Sequence, residues 1–468
     1  MSEPVAEWRK GLRFPGSENT HAVESERALL RDLEGAGLRR RLRGQLRLLG
    51  PGYLQSAMTL GSGTASSALF AGAVFGYQLL WVAPLGMAMG VCMLAAVSWQ
   101  TLSTGQRPWE AMREHAGPFF AWAWALGALL SSMIWQLPQY ALASAVLVDL
   151  SDVAGLSGVS PSLAGAVVLV WALGISSLYG RSALWVRRYE RVLQAMVWGV
   201  VVCFGLVVLR TGIPDWGAVV QGFLAFEVPG ERNGVTGTTL VLSGLAAAVG
   251  VNMVFLYPYS LLARGWGREH RSLARLDLAL GMFVPYTLAV SLVVIATANT
   301  LHLDHAYDGV RLSPVEAARV LGSVLGQATG RVAFGLGVLG MALSSITLQM
   351  LTCGFVAVEL AGVQVGSFRY HLATWLPAPA VLGVAYWSEI AVWVAVPTNI
   401  VCGLFLPAAY VGFCIMQRSR SYLGEDRPEG WSGRAWLGAM IAITLFLGAF
   451  LAWYAVTSGP AFVKALMG

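Results

Sequence analysis

Charged residues are scarce in this chain. They make up 12% of its 468 residues, against about 25% in a soluble domain. Hydrophobic residues make up 56%, and the mean hydropathy is +0.62. That balance excludes a large soluble core and indicates a polytopic membrane protein. The basic excess, 31 Lys plus Arg over 25 Asp plus Glu, calls for no nucleic-acid partner. Cysteine is sparse too. Cys92, Cys203, Cys353, Cys402 and Cys414 all fall in apolar segments without CxxC spacing. They read as small buried hydrophobes, which excludes a disulfide framework and a zinc site. No nucleophile–base pair and no phosphate loop is present, so neither an enzyme nor a cofactor is expected. The opening residues are polar and lead into a basic tail, so no cleavable signal peptide is expected.

Long apolar runs are what the chain does have. Eleven spans, each near the ~20 residues a bilayer requires, run approximately 48–74, 76–100, 118–149, 162–180, 190–210, 238–263, 276–300, 332–362, 372–388, 390–416 and 435–457. No Asp, Glu, Lys or His lies in the central part of any of them. Glu359, Glu389 and Asp277 sit near their ends. Residues 1–46 are expected to form a polar tail, and residues 47–468 one eleven-span domain. The tail carries Leu29, Leu30, Leu33, Leu38 and Leu42 at helical spacing, followed by Arg39, Arg40, Arg41, Arg43 and Arg47. This reads as a positive flank that fixes orientation, or as a basic helix lying on anionic lipid.

Loop charge alternates. Arg107, Arg113, Arg181, Arg187, Arg188, Arg264, Arg268, Arg271 and Arg275 share the tail's side, whereas the loop from Val148 to Ser162 has Asp149 and Asp152 and no Lys or Arg. The positive-inside rule therefore places the amino terminus in the cytoplasm, and an odd span count places the carboxyl terminus outside. The expected location is the cell membrane.

Two spans are interrupted by residues that do not favour a helix. The first contains Leu60-Gly61-Ser62-Gly63-Thr64 and the sixth contains Gly250-Val251-Asn252. Irregular backbone at membrane depth is tolerated only where it is buried in protein or lines a cavity. Paired breaks in two halves of a chain point to a solute site at the bilayer midplane. If each break opens a block of five, helices 1–5 and 6–10 form inverted repeats. The expectation is then an all-α membrane protein with the leucine-transporter fold and an eleventh helix appended.

Several stretches carry a resemblance. Gly50-Pro51-Gly52-Tyr53-Leu54 resembles the GP-x-[FY]-L opening of the natural resistance-associated macrophage protein (NRAMP) family of divalent-metal transporters. Phe75-Gly76-Tyr77-Gln78-Leu79-Leu80-Trp81-Val82 is similar to that family's start of helix 2, and Arg264 matches a basic residue ending helix 6. The family's chemical residues do not carry over. Its Asp-Pro-Gly-Asn corresponds to Gly61-Ser62-Gly63-Thr64, so the metal-binding Asp is Gly61 and the Asn is Thr64. Its Ala-x-x-Met-Pro-His corresponds to Ala247-Ala248-Val249-Gly250-Val251-Asn252, so the thioether ligand is Gly250 and the histidine is Asn252. Only a register shift would return a sulfur there, from Met253. The Asp-x-x-Glu of its proton route corresponds to Gln136-Leu137-Pro138-Gln139, and its Ser-Gln pair in helix 10 to Thr398-Asn399.

The substrate site expected from this alignment comprises Gly61, Ser62, Gly63, Thr64, Ala247, Gly250, Asn252 and Asn399, with Gln136 and Gln139 on the former proton route. It offers hydroxyls, amides and carbonyls but no carboxylate. Soft ligands select late transition metals, whereas oxygen ligands suit magnesium or calcium. A relay needs groups that titrate, and Gln136 and Gln139 do not. Three readings follow. The first is a divalent cation, largely hydrated and magnesium-like, moved without proton coupling. The second is a small neutral or zwitterionic solute whose carboxylate meets the amides of Gly61–Thr64, as in the Gly-Ser-Gly-like stretch of amino acid–polyamine–organocation carriers. The third is a transport-inactive receptor or scaffold. The expected partners are the solute and the lipid bilayer; no protein partner is inferred.

Three weaker signals remain. His302, Asp304, His305 and Asp308 cluster in one loop, either as metal ligands or as a solvated turn. Trp135 and Tyr140 flank the helix 3 amides. Pro138, Pro258 and Pro407 predict kinks within spans.

Overall fold

The computed structural model describes residues 20–179, 183–232, 234–302, 327–387 and 391–457. Helices α1 (Thr20–Glu34) and α2 (Leu38–Leu46) precede the membrane domain. The first span is two half-helices, α3 (Pro51–Thr59) and α4 (Ser62–Phe75). Next come α5 (Val82–Thr104), α6 (Pro108–His115), α7 (Pro118–Val153), α8 (Pro161–Leu178) and α9 (Ala183–Thr211). A connector holds α10 (Trp216–Leu224) and a two-residue antiparallel pair, Glu231 opposite Thr236 and Arg232 opposite Val235.

The sixth span is again divided, into α11 (Gly237–Ala248) and α12 (Val251–Ala263). In the seventh, α13 (Arg271–Asp277) passes through the π-helical turn Leu278–Phe283 into α14 (Val284–Thr297). The eighth is α15 (Gln327–Ala361). The ninth expected span is built of short pieces: α16 (Phe368–Thr374), a 3-10 turn Ala378–Gly383 and α17 (Val384–Trp387). Pro377 and Pro379 lack the N–H groups a continuous helix needs there. The tenth is α18 (Ala391–Gly403) and α19 (Leu406–Arg418), and the last is α20 (Gly430–Thr457). Among the described residues, nine helices are long and apolar enough to cross a bilayer, besides the shorter apolar α4.

The proline expectations divide. Pro138 lies inside α7 and Pro258 inside α12. Pro407 instead opens α19, where its missing N–H is no loss, and Pro397 is the proline inside α18.

Burial separates inner from outer helices. The apolar windows of the sixth span and of α15 are each 89% buried in protein, whereas that of α20 is 22% buried. The outer faces of α7, α9 and α20 expose Phe119, Leu209, Leu445 and Val456, as expected of surfaces that meet lipid. The broken helices therefore sit at the centre, with α7 and α15 beside them.

The amino-terminal helices are docked onto this bundle. Leu30 and Leu33 of α1 are buried, and Glu26 pairs with Arg187 of α9 at 2.9 Å. Arg39, Arg40, Arg41, Arg43 and Arg47 remain exposed.

Candidate functional site

Both breaks lie within a residue or two of the glycines that announce them. At the first, Leu60 and Gly61 leave the helix, Gly61 in extended conformation at φ −110° and ψ −172°, and α4 resumes at Ser62. At the second, Val249 and Gly250 are the extended residues and α12 resumes at Val251. Each break leaves end carbonyls of one half-helix and N–H groups of the next without intrahelical partners. Their partners decide what the site can bind.

Neighbouring helices supply many of these partners. Thr64 Oγ1 donates to Thr59 O at 2.6 Å. Ser344 Oγ of α15 donates to Ala57 O at 2.9 Å, and Ser345 Oγ donates to Met58 O at 3.0 Å. Ser345 Oγ in turn accepts from Gln139 Nε2 at 2.8 Å and from Gln349 Nε2 at 3.2 Å, so its donor and both lone pairs are used. The Ser62 N–H donates to Gln139 Oε1 at 2.8 Å.

Two of the four amides expected to meet an external carboxylate already have partners: the Ser62 N–H donates to Gln139, and the Gly61 N–H bonds to Thr59 O at 2.8 Å. Gly61 and Gly63 also have a steric reason. A Cβ at Gly61 would collide with Gln139 Nε2 and lie 2.7 Å from Ser345 Oγ, and one at Gly63 would collide with the Asn399 amide. The glycines let two amide side chains approach the backbone.

Asn399 ties three segments together. Its Nδ2 lies within hydrogen-bond distance of Gly63 O (3.0 Å), Ser67 Oγ (3.1 Å) and Ser243 Oγ (2.9 Å). Ser67 and Ser243 are 2.7 Å apart through their hydroxyls. Asn399 Oδ1 is buried with no hydrogen-bond partner. Gln136 Nε2 donates to Ile346 O at 2.9 Å, while Gln136 Oε1 and Gln349 Oε1 are likewise buried and unpartnered. Trp135 Nε1 donates to Thr398 O at 3.3 Å.

At the second break, Asn252 Oδ1 accepts from the Met253 N–H at 3.0 Å, and Asn252 Nδ2 is buried without a partner. The sulfur of Met253 reaches the crossover without a register shift. It lies 3.2 Å from Thr59 Oγ1 and 3.4 Å from the Gly250 nitrogen, both as donors. Thr59 Oγ1 has two further acceptors in reach, Gln55 O at 3.0 Å and Ala248 O at 3.4 Å, so one hydroxyl proton serves three. Ala247 and Thr64 line a cavity of about 30 Å³ beside the breaks with Ser67, Gly244 and Tyr286.

Sequence reasoning brought most of this set together and missed part of it. Ser67, Ser243, Ser344, Ser345 and Gln349 hold the breaks in place; serines and glutamine inside apolar spans were the available signal. It also missed a charged cluster at the α3 end. Arg264 pairs with Glu190, with Glu26 at 3.4 Å, and donates to Leu48 O at 3.2 Å. Asp277 accepts from the Gly50 N–H at 3.0 Å and from the Gly52 N–H, capping the start of α3 from another span. Among the described residues no group of three or more His, Cys, Asp or Glu is arranged to hold a metal. Of the loop cluster, His302 Nδ1 lies 3.1 Å from Ala73 O; Asp304, His305 and Asp308 lie outside the described residues.

Paired helix breaks meeting at the centre of a many-span bundle define a broken-helix membrane carrier of the leucine-transporter type. Structural likeness agrees. A mutant of the Eremococcus coleocola manganese transporter matches with a TM-score of 0.70 at 14% identity, covering 93% of this chain and 92% of that one. Mhp1 in its inward-facing form matches with a TM-score of 0.52 at 14% identity, covering 87% and 90%. The family model described as natural resistance-associated macrophage protein-like matches residues 52–453, and the chain belongs to that family. A divalent metal cation transporter, MntH, of Agrobacterium fabrum is 24% identical over 471 residues, covering 95% of this chain and 94% of its own. The metal transporter Nramp6.2 of Populus trichocarpa is 25% identical over 300 residues, covering 61% of this chain and 51% of its own.

Proposed function

We propose that this protein carries a divalent metal cation across the cell membrane through the neutral site between its helix breaks, without proton coupling. The ion keeps much of its water shell. The amino terminus lies in the cytoplasm and the carboxyl terminus outside, following the loop charges. Relatives bearing the name of divalent metal cation transporter support the substrate class. The observation that carries the reading is a set of three buried amide oxygens without donors: Asn399 Oδ1, Gln136 Oε1 and Gln349 Oε1. Oxygen ligands of this kind suit a hard, hydrated cation. Met253 adds one thioether, held by two donors. Gln136 and Gln139 hold hydrogen bonds in place but offer no proton to a relay.

A small neutral or zwitterionic solute is the second reading. It draws on Asn252 Nδ2, a buried donor with no partner. The test uses the protein in liposomes, with manganese and magnesium uptake measured beside a panel of amino acids, with and without a pH gradient. Saturable metal uptake is expected, changed less than about twofold by the gradient and lowered at least about tenfold by Asn399→Ala. Uptake that requires the gradient would sink the uncoupled mechanism. No metal flux, with a thermal shift from one amino acid, would move the site to the second reading. Silence in every arm would mean a transport-inactive member.

A further inference from the structure

A second cavity lies far from the helix breaks, between the end of α19 and the start of α20. It has a volume of about 370 Å³ and is lined by Arg418, Arg420, Arg427 and Arg434, with Glu429 as the acid among its described lining residues. Arg427 pairs with Glu429 at 2.5 Å, and Arg420 approaches the same carboxylate at 4.0 Å. The side chains of Arg418 and Arg434 are exposed and make no hydrogen bond or ion pair among the described residues. The cavity therefore carries uncompensated positive charge. The first turn of α20 adds its dipole and the free N–H groups of a helix start, and Gly430 and Gly433 bring that backbone to the cavity wall.

A buried donor also points there. Gln417 lines the cavity and is 3% exposed. Its Oε1 accepts from Gln100 Nε2 at 2.7 Å, while its own Nε2 is buried with no partner. A buried amide N–H without an acceptor costs free energy that a bound oxyanion would recover.

The surroundings say which anion. Both flanking helices are membrane spans, and α20 is the least buried of the candidate spans. Leu437 at the cavity wall begins a stripe at helical i,i+4 spacing that continues through the exposed Ile441 and Leu445. Trp431, 85% exposed, stands at the same end of α20, where an aromatic ring suits the headgroup level. Arg27–Glu269 and Arg268–Asp426 ion pairs link α1, the α12–α13 loop and the α19–α20 loop, so this cavity opens on the same face as the basic amino-terminal helices.

We propose that the cavity binds the phosphodiester headgroup of an anionic phospholipid, whose acyl chains lie along Leu437, Ile441 and Leu445. Arg418 and Arg434 meet the phosphate, and Gln417 Nε2 donates to one of its oxygens. A free phosphate would use the same cations and leave the apolar stripe unused.

The test is native mass spectrometry of the full chain released from nanodiscs of mixed phosphatidylcholine and phosphatidylglycerol. Wild type is expected to retain phosphatidylglycerol in preference to phosphatidylcholine. Arg418→Gln with Arg434→Gln is expected to lower that retention at least about tenfold, while Arg232→Gln, in the connector hairpin between α10 and α11, leaves it unchanged. Arg434→Glu alone, at an exposed position, gives the same direction of change with little risk to folding, which thermal unfolding checks. Equal retention of the two lipids, or full retention by both variants, would overturn the proposal. Displacement of the lipid by equimolar glycerol 3-phosphate would overturn the lipid as occupant and leave a soluble phosphoester.

Discussion

The crossover of the broken helices and the cluster around Arg264 are both deeply buried, yet they hold opposite chemistry. At the crossover, Gln136, Gln139, Asn252, Asn399 and six hydroxyl residues gather with no formal charge among them. At the α3 end, Glu26, Glu190 and Arg264 meet directly, and Asp277 caps a helix beside them. The difference shows where this fold tolerates ionised groups. Each charge in the cluster has a counter-charge or helix-end N–H groups within reach, as buried ions require. At the crossover, the Ser62 N–H is met by a neutral amide oxygen, so this contact brings no charge that has to be neutralised.

The largest effect should come from breaking the charged side. Arg264→Met leaves Glu190 and Glu26 buried without their shared cation, at a cost of about 3–5 kcal/mol. Thermal unfolding in detergent measures it, and Glu190→Gln in the same chain should restore part of the loss. A variant melting at the wild-type temperature would show that the pairing does not support the fold. An intermediate effect is expected at the crossover. Gly63→Ala drives a methyl group into the Asn399 amide, costing about 1–3 kcal/mol, and should abolish uptake in protein that still elutes as a folded species. Normal uptake would mean that the close approach is not required for transport.

The smallest change in stability sharpens the comparison most. Gln139→Glu, kept protonated by burial, retains an acceptor for the Ser62 N–H and an O–H to donate to Ser345, a change of about 1 kcal/mol or less. It also places a titratable group at an otherwise uncharged centre. Wild-type flux should be nearly flat from roughly pH 5 to 8, because no group at the crossover titrates there. The variant's flux should change several-fold across the same range. A wild-type profile with a steep limb would place a functional proton outside the crossover, with Asp277 the first residue to examine.

Much of the architecture was legible because the bilayer limits the options. Apolar length, loop charge and two glycine-bearing breaks sufficed for an all-α, broken-helix plan. The ninth span was less legible. Residues 372–388 have the hydropathy of a span, but Pro377 and Pro379 turn the backbone there into short pieces. At the site, the sequence pointed to Gly61, Ser62, Gly63, Asn252 and Asn399 but not to their relations. Glycine composition alone cannot separate an anion cradle from a close approach. Here the Gln139 and Asn399 amides fill the space a Cβ would take. Nor did the sequence place Met253, whose sulfur reaches Thr59 across the crossover.

By itself, then, the sequence determined the many-span helical plan, where two of the spans break, and that no carboxylate stands at the breaks. Those properties depend on local composition, read against a solvent that accepts no unpaired backbone and no isolated charge. Only the tertiary structure decided which helix-end groups stay free and which are already bonded. That depends on side chains 77 to 336 positions apart in the chain, such as Gln139 at Ser62 and Asn399 at Gly63, meeting at the centre of the bundle.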